Sequence, residues 1–424
     1  MNKDKVLRIL VVLPLYGGSL PVGRFCVSAL QKMGHLVETF EAPDFYGAYT
    51  AIDDLKVTSD RHQYLRNSYL NMLSQAVLAK VETFEPDMVL AMAQAPLTHQ
   101  ALKRMRNDNV KTAMWFVEDF RLFTYWQSFA PFYDVFAVIQ KEPFIGELRQ
   151  IGVENSLYLP LAANPDFHKP EELNSVDARK YGGDVSFMGA GYPNRRLAFR
   201  KLIHHGLKIW GTEWDGDHVL EPYVQLGGRR VSSEECVKIF NGTKINLNLH
   251  SSINAGELVG GGDFINPRTF ELAACGAFQL VDKRTLMSEA FDDGELAHFE
   301  DLDDLDRKIE YFLSHPEERE AVTQRSRERV LKDHTYEVRM QSLIDFTVQQ
   351  FSDWPAERKT DTLFDNNFPE ELKNDIVSLV SKLGLPANVG FDDLVAAVRA
   401  QQGQLSPLDT AVLFLDEWKK TYKR

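Results

Sequence analysis

Residues 6–14 read VLRILVVLP, an almost unbroken apolar run, and the glycine-rich turn Tyr16-Gly17-Gly18-Ser19 follows them. A helical pattern then covers residues 21–33, and Gly34 stands where such a helix would end. A strand with few polar residues is typical of a parallel sheet that is covered on both faces. Strand, turn and helix in this order predict the first half of a βαβ unit.

The same alternation continues through the first 160 residues. Further strands are predicted at 36–40, 87–92, 112–117, 134–139 and 156–159, with helices at 61–84, 96–107 and 143–151 between them. Regular alternation of apolar strands and helices is the pattern of an α/β domain. We therefore predict a Rossmann-like, doubly wound parallel sheet over residues 1–160.

A proline-rich connector separates this domain from a second one. Residues 159–170 read LPLAANPDFHKP and interrupt both periodicities, which places a linker at 161–182. A second strand–helix series then fills residues 183–350 and predicts another doubly wound domain. Its strands are predicted at 184–188, 207–211, 244–250 and 278–281, and its helices at 195–205, 234–241, 267–275, 302–314, 316–332 and 336–351.

Residues 351–424 have a different character, with helical patterns and no strand. Helices are predicted at 368–383 and 391–400, and a third begins at 406–409. They share an apolar stripe of Leu372, Ile376, Val380, Leu383, Leu408, Val412, Leu415 and Trp418. Short helices are not stable alone, so this appendage must pack on the two domains, on a second copy of the chain, or on a partner through residues 352–424.

Composition narrows the class of protein. The chain has 424 residues with 48 Lys and Arg against 61 Asp and Glu, a formal charge of −13, which disfavours binding to nucleic acid. Three cysteines without a C-x-x-C pair indicate a reducing compartment and no zinc site. We expect a cytoplasmic protein. The basic C-terminus leaves a peripheral membrane contact as an alternative, although a favourable charge at a helix end explains it more simply.

Residues that follow strands are the candidates for ligand binding, because open α/β sheets bind ligands at the carboxyl ends of their strands. Gly189 and Gly191 follow a predicted strand, and Asn194 and Arg195 open the next helix. Glycines and a helix N-terminus suit phosphate. Asn194 stands in place of the third glycine of a G-x-G-x-x-G motif, so phosphate binding and an ordinary turn are equally open.

Two carboxylates eight residues apart, Asp263 and Glu271, flank the start of a predicted helix. Glu271 would accept hydrogen bonds from ribose hydroxyls, Arg268 would lie beside phosphates, and Asp263 would face a sugar. From spacing alone, a solvated glutamate and a surface arginine are the simpler interpretation.

The segment 266–277, NPRTFELAACGA, resembles the R-x-F-E-x-x-A-x-G signature of the CgeB-like glycosyltransferases, a group with the GT-B fold. Asp263 and Glu271 are similar in spacing to the E-x7-E motif of retaining GT-B enzymes, with Asp in place of the first Glu. Segments 159–162, 187–195, 246–250 and 334–339 also fit this family. The resemblance implies two Rossmann-like domains facing across a cleft, with a nucleotide sugar bound to the second domain at Gly189, Gly191, Asn194, Arg195, Arg268 and Glu271.

The resemblance also implies that the first domain holds the acceptor, near Gly17, Gly18 and Ser19. Asp263, Glu118, Asp119 and His250 are the candidate catalytic residues; for Glu118 and Asp119, capping or solvation of a loop is the simpler interpretation, and for His250 packing in the core is equally open. GT-B sites rely on Arg, Lys and helix dipoles, so neither a metal nor another cofactor is expected.

The predicted function is therefore transfer of a sugar from a nucleotide-sugar donor to a protein, lipid-linked or polysaccharide acceptor. An epimerase or hydrolase of nucleotide sugars on the same fold is one alternative. A catalytically weak scaffold that acts through its helical tail is the other.

Overall fold

Two parallel sheets form the body of the protein, which confirms the predicted fold class. The structure is a computed structural model and describes residues 6–252, 264–356, 369–385, 389–401 and 403–422. The first sheet has the order β2-β1-β3-β4-β5-β6 and the second the order β11-β10-β9-β7-β8. The strands are β1 Arg8–Val12, β2 Leu36–Phe40, β3 Met88–Met92, β4 Lys111–Phe116, β5 Val135–Val138, β6 Ser156–Tyr158, β7 Gly183–Met188, β8 Lys208–Trp210, β9 Thr243–Asn248, β10 Gln279–Asp282 and β11 Ala297–Phe299.

Helices cover both faces of each sheet and continue into the C-terminal appendage. They are α1 Ser19–Lys32, α2 Tyr46–Ala51, α3 Ser59–Phe84, α4 His99–Asn107, α5 Trp126–Phe129, α6 Phe144–Gln150, α7 Ser175–Tyr181, α8 Pro193–Phe199, α9 Ser233–Gly242, α10 Pro267–Ala274, α11 Met287–Ala290, α12 Leu302–Ser314, α13 Pro316–Asp333, α14 Tyr336–Gln350, α15 Glu370–Lys382, α16 Phe391–Ala400 and α17 Pro407–Tyr422. Short 3-10 turns lie at Ala42–Phe45, Ile52–Asp54, Ala130–Phe132, Ile203–His205, Glu221–Tyr223 and Gln225–Gly228.

One strand, β11, and four helices, α2, α5, α7 and α11, were not predicted, and α8 ends at Phe199 where a helix was predicted to residue 205. Strand β11 has only three residues, Ala-His-Phe, too few to show an apolar period. Helix α7 lies within the predicted linker, where Asn174 caps it by accepting hydrogen bonds from the N–H groups of Val176 and Asp177. The polar composition of that segment concealed a short helix.

The side chains of β1 alternate between two apolar layers. Ile9 and Val11 belong to a core that also contains residues of the second sheet's helices, such as Phe270 and Met340. Leu10, Val12 and their neighbours on β3 and β4 pack instead against α3 and α4. The first of these layers continues from one sheet to the other, so apolar contact joins the two halves of the body.

The chain crosses from the first sheet to the second just after β6, and Arg339 of α14 holds this crossing. Its buried guanidinium donates to the carbonyl oxygens of Pro160 (2.7 Å) and Leu161 (3.2 Å). It also lies 2.6 Å from Nδ1 of His334, whose Nε2 is 2.7 Å from the carbonyl oxygen of Ala290. Both ring nitrogens of His334 are therefore engaged, and the ring packs as a neutral imidazole.

The appendage is a small helical unit with a core of its own. Ile376, Val380 and Val412 of the predicted stripe are buried in this core. Leu415 and Trp418 are about half exposed, with relative accessibilities of 50% and 54%, so the stripe is only partly covered. None of the helices in the described parts of the chain is long and apolar enough to cross a membrane.

Helix α16 attaches this unit to the amino-terminal edge of the first sheet. Ala396 joins the core beneath β2 and β4. Arg8 at the start of β1 is 3% exposed, and its Nε donates to Oδ1 of Asp393 at 2.9 Å. The appendage thus covers a buried charge on the first domain.

The contact between Arg8 and Asp393 predicts that two adjacent aspartates of α16 differ in how much they stabilise this helix. Asp393→Ala should loosen α16 by about 1–3 kcal/mol, because the buried Arg8 loses a charged hydrogen-bond partner. Asp392→Ala is the matched control, since its pair with Lys419 is half exposed and should contribute under about 1 kcal/mol. Amide hydrogen exchange in α16 measures both. Equal exchange in the two variants would show that the pair of Arg8 and Asp393 does not stabilise α16 more than the pair of Lys419 and Asp392.

The environment of His334 predicts a pH dependence of stability. Burial and the nearby Arg339 lower the pKa of His334 to about 4. The unfolded chain, with an ordinary histidine pKa of about 6.5, therefore binds more protons between these values, so stability is full above pH ~6.5 and is lost as the pH falls towards 4. The loss should be on the order of 3 kcal/mol.

Urea unfolding at pH 7 and pH 4.5 measures this effect. His334→Gln should lose clearly less stability on acidification than the wild type. His218→Gln, in which the replaced side chain is 91% exposed, should lose as much as the wild type. A His334→Gln profile as steep as that of the wild type would show that other groups cause the acid loss.

Candidate functional site

A cleft of about 330 Å³ lies between the two sheets. Loops that follow β1, β7 and β8 meet here, so the carboxyl edges of both sheets face it, as expected for ligand sites of open α/β folds. The first domain contributes residues at the start of α1, and the second contributes loops, α9 and α10. The lining residues are Gly18, Pro21, Val22, Phe25, His168, Met188, Gly189, Ala190, Gly211, Thr212, Arg230, Val231, Ser233, Cys236, Pro267, Arg268 and Glu271.

Arg268 and Glu271 form an ion pair on the wall of this cleft. Asn266 caps α10 by accepting from the N–H of Thr269, which fixes the first turn of the helix. Nη1 of Arg268 then donates to Oε2 of Glu271 at 2.7 Å, and the guanidinium lies 4.9 Å from the ring centre of Phe240. The buried Nε of Arg268 has no hydrogen-bond partner among the described residues. A cationic donor is thus left over in the cleft.

His168, from the connector, stands beside this pair and was not predicted. Its Nδ1 accepts from the backbone N–H of Asn164 at 3.1 Å, so the ring proton lies on Nε2, 3.9 Å from Oε1 of Glu271. Burial lowers the pKa of His168, which keeps the ring neutral. The ring also makes an edge contact with Phe25 of α1, at 5.0 Å between centres. His168 therefore touches both walls of the cleft.

Arg230 is a second cation of the cleft that the sequence did not single out. It is exposed and forms no ion pair with any residue that the structure describes. The adjacent Arg229 differs, because its guanidinium donates to both carboxylate oxygens of Glu235 at 2.7 and 2.9 Å. Of these two neighbours, Arg230 is the one available to an anion.

The glycine-rich loop after β7 lies against the loop after β8. The N–H groups of Gly189 and Gly191 donate to the carbonyl oxygens of Trp210 and Thr212, both at 2.9 Å. A Cβ at Gly191 would overlap the carbonyl oxygen of Glu213. Gly191 is thus needed for the close approach of two backbones, and a Cβ at Gly189 would meet the ring of Phe187. Neither N–H is free to bind phosphate in this arrangement.

The two residues predicted beside this loop have their polar atoms turned to the protein. Nδ2 of Asn194 donates to the carbonyl oxygen of His250 at 2.9 Å. The guanidinium of Arg195 donates to the carbonyl oxygens of Leu249 and Ala190 at 2.7–3.0 Å. Both side chains tie the end of β9 to the loop after β7. The structure places them behind the cleft wall.

His250 is completely buried at the end of β9. Its Nδ1 lies 2.7 Å from Oδ1 of Asp282, and its Nε2 accepts from the backbone N–H of Asn266 at 2.9 Å. Burial lowers the pKa of His250. Neither ring nitrogen can reach a ligand in this arrangement, so the structure gives no support to catalysis by His250. The ring connects β9 to the capping residue of α10.

Glu118 and Asp119 follow β4 and do not line the cleft. Oε2 of Glu118 accepts from the hydroxyl of Tyr125 at 2.9 Å, and Oε1 accepts from the amide of Gln94. Burial raises the pKa of Glu118. Oδ1 of Asp119 accepts from the N–H of Arg121 at 2.9 Å, the geometry of a turn cap.

The predicted acceptor-side turn lies at the mouth of the cleft. Gly18 lines it, and the hydroxyl of Ser19 donates to the carbonyl oxygen of Ala93 at 3.1 Å, which links this turn to the loop after β3. Gly17 has φ of +105°, a left-handed conformation that favours glycine. Asp263 lies outside the described residues.

Within the described residues, one cluster of three side chains has the composition of a metal site. It consists of His204, His205 and Asp306, whose ligand atoms lie within 4.8 Å of one another. The two histidines precede β8, at the amino-terminal edge of the second sheet. This cluster is therefore remote from the cleft.

Comparison with known proteins gives matches for the domain that contains the second sheet. Residues 179–345 match the family described as "Glycosyl transferase-like". The chain is also 24% identical over 267 residues to the spore protein CgeB of Bacillus subtilis strain 168, which covers 58% of this chain and 78% of CgeB. The matched family residues include α10 with Arg268 and Glu271.

Solved structures share the fold of the whole body. A glycosyltransferase from Rickettsia africae matches with a TM-score of 0.53 at 14% identity, covering 81% of this chain and 98% of that protein. HepE of Anabaena, solved in complex with UDP-glucose, matches with a TM-score of 0.51 at 11% identity, covering 81% and 100%. The family match and the fold agree: residues 179–345 are similar to glycosyltransferases, the chain is similar to CgeB, and the body of the chain has the GT-B fold.

Proposed function

We propose that the protein transfers a sugar from a nucleoside-diphosphate sugar, bound in the cleft, to an acceptor held by the first domain. The pair of Arg268 and Glu271 carries this proposal. Glu271 has carboxylate oxygens suited to the two ribose hydroxyls. Arg268 lines the same cleft, and its buried Nε has no hydrogen-bond partner among the described residues. Buried donors without partners are rare in proteins, so a ligand that accepts this hydrogen bond is the simplest explanation.

Arg230 extends the cationic side of the cleft and is the proposed second contact to the diphosphate. As the sugar leaves the nucleotide, the bond between the anomeric carbon and the phosphate oxygen breaks, and its electron pair stays on that oxygen. The arginines would stabilise the charge that develops there. We propose that no metal takes part, as the resemblance to GT-B enzymes implies.

The remaining predicted residues divide into two groups in this proposal. Asp263 addresses the sugar, on the strength of its place in the family motif. Asn194, Arg195 and His250 position the loops around the donor, because their polar atoms contact backbone groups and not the cleft.

UDP-glucose is the sugar nucleotide of one structural neighbour, and other neighbours that share the fold include a putative UDP-N-acetylglucosamine 2-epimerase. The fold therefore does not decide the reaction. Binding of UDP-, GDP-, dTDP- and CMP-sugars, followed by product analysis without acceptor, separates the alternatives. We expect at least one to bind and to be hydrolysed slowly at the sugar–phosphate bond. A new sugar isomer would indicate an epimerase, and no binding by any of them would refute the proposal.

The two proposed donor contacts predict different losses of nucleotide affinity. Glu271→Gln should weaken the binding of ribonucleoside mono- and diphosphates alike, by about 1–3 kcal/mol. It should change the affinity for the 2′-deoxy analogue less. Arg230→Ala should weaken the diphosphate more than the monophosphate, because it removes a phosphate contact.

Calorimetry with the nucleotide that binds the wild type measures both effects. Glu234→Gln and Arg229→Ala are the matched controls. Glu234 is exposed outside the cleft lining, and Arg229 is paired with Glu235. If Glu271→Gln binds ribo- and deoxyribonucleotides as the wild type does, Glu271 does not contact the ribose.

A further inference from the structure

Two adjoining crevices open beside the loop that follows β3 in the first domain. The inner one, of about 160 Å³, is lined by Met114, Tyr125 and Tyr133. The outer one, of about 410 Å³, is lined by Asn67 and other residues of α3, by the 94–99 loop and by the first residue of α4. Gln94, Ala95 and Phe129 line both. The two crevices therefore form one continuous recess at the carboxyl edge of the first sheet.

Two buried polar atoms of residues that line this recess have no hydrogen-bond partner among the described residues. The hydroxyl of Tyr133 belongs to a side chain that is only 5% exposed, and Nε2 of His99 is likewise buried. Buried polar groups are nearly always hydrogen-bonded to protein, water or ligand. The recess therefore offers polar contacts that the protein itself leaves unused.

Gln94 is held in an unusual conformation at the centre of the recess. Its φ of +66° is left-handed, which non-glycine residues adopt at a cost and chiefly where the surrounding structure enforces it. Its backbone N–H donates to the hydroxyl of Tyr125 at 3.1 Å, and its side-chain amide donates to Glu118. These contacts direct Gln94 towards Glu118 and fix the floor between the two crevices.

The residues that line the recess are uncharged, and they include aromatic, amide and aliphatic side chains. No Lys, Arg, Asp or Glu is among the residues that line either crevice. The ring of His99 lies 4.3 Å from those of Phe129 and Phe132, so flat apolar faces alternate with polar atoms. Asn67 and Asn71 supply amide donors and acceptors on the outer side. A phosphorylated ligand would lack a cation here.

We propose that this recess binds the acceptor, and that the acceptor is an uncharged saccharide whose hydroxyls meet Tyr133, His99 and the two asparagines. Sugars present apolar C–H faces beside hydroxyls, and an aromatic pocket with a few polar groups matches that chemistry. The recess would hold such a saccharide whether it is free or forms the end of a glycan on a lipid or a protein. The assignment as an acceptor site rests on the proposed function.

Ligand-observed NMR of the full chain tests binding directly, without turnover. The probes are glucose, galactose, N-acetylglucosamine and their disaccharides, and each is compared with its own phosphate ester. We expect at least one neutral sugar to bind at millimolar concentration and its phosphate to bind more weakly. Tyr133→Phe and Asn71→Ala should each lower the affinity for the neutral sugar roughly three- to tenfold, the effect of one lost hydrogen bond.

Tyr64→Phe, which changes a side chain on α3 that is 63% exposed and outside the recess, is the matched control and should bind as the wild type does. Asn71 is exposed on the same helix, so its replacement should leave folding intact. If no neutral sugar binds, if the phosphates bind more tightly, or if both recess variants match Tyr64→Phe, the proposal is overturned.

Nucleotide-sugar binding by the same samples separates this proposal from the proposed function. If a nucleotide sugar binds and no neutral saccharide does, the proposed donor site is supported and the proposed saccharide site in the recess is refuted. Binding of a neutral saccharide in the recess without any nucleotide sugar would support the recess as a saccharide site and refute the transfer reaction.

Discussion

The contact on which the cleft depends is the one between Arg339 and the crossing of the chain at Pro160 and Leu161. Both domains carry their ligand-binding loops at the carboxyl edges of parallel strands, so a shared site requires these edges to face each other. The buried guanidinium of Arg339 binds the crossing peptides, and α14 packs against α1 of the first domain. A buried cation that satisfies carbonyl oxygens is costly to displace, which makes this crossing a defined joint between the sheets.

Behind the cleft wall, a second set of contacts positions α10, the helix that carries the proposed donor contacts. His250 accepts from the backbone of Asn266, and Asn266 caps the helix that carries Arg268 and Glu271. Although burial disfavours its charge, His250 and Arg284 hold the pKa of Asp282 at about 2, so this carboxylate stays ionised beneath the cap. His250 therefore acts on the cleft without lining it. It holds Asn266 in place, and Asn266 in turn fixes the start of α10.

The fold was largely predictable because its strands are continuous apolar runs bounded by turns. Strand β11 and helix α7 were missed since three residues show no period and a polar helix resembles a linker. Arg268 and Glu271, which line the cleft, were singled out by the resemblance of residues 266–277 to a family signature, whereas their spacing alone favoured a surface arginine and a solvated glutamate.

His168 and Arg230 were not identified, because tertiary packing over long sequence separations brings them to the cleft. Gly189 and Gly191 were predicted to approach phosphate, whereas in the structure their N–H groups donate to backbone carbonyl oxygens. A loop that needs glycine for backbone packing and one that needs it for phosphate look the same in sequence.

The distribution of charge gives the two halves of the body different chemistry. In a chain with a formal charge of −13, a diphosphate would be repelled unless cations were placed locally. The second-domain wall has them in Arg268 and Arg230, whereas the recess after β3 has neither cations nor anions in its lining. An anionic ligand and a neutral hydroxylated one would thus be sorted between the two domains by desolvation alone, since burying a charge without a partner costs far more than burying a hydroxyl that is hydrogen-bonded. Such sorting would keep the nucleotide out of the recess, so that an acceptor hydroxyl could meet the sugar and not a second diphosphate.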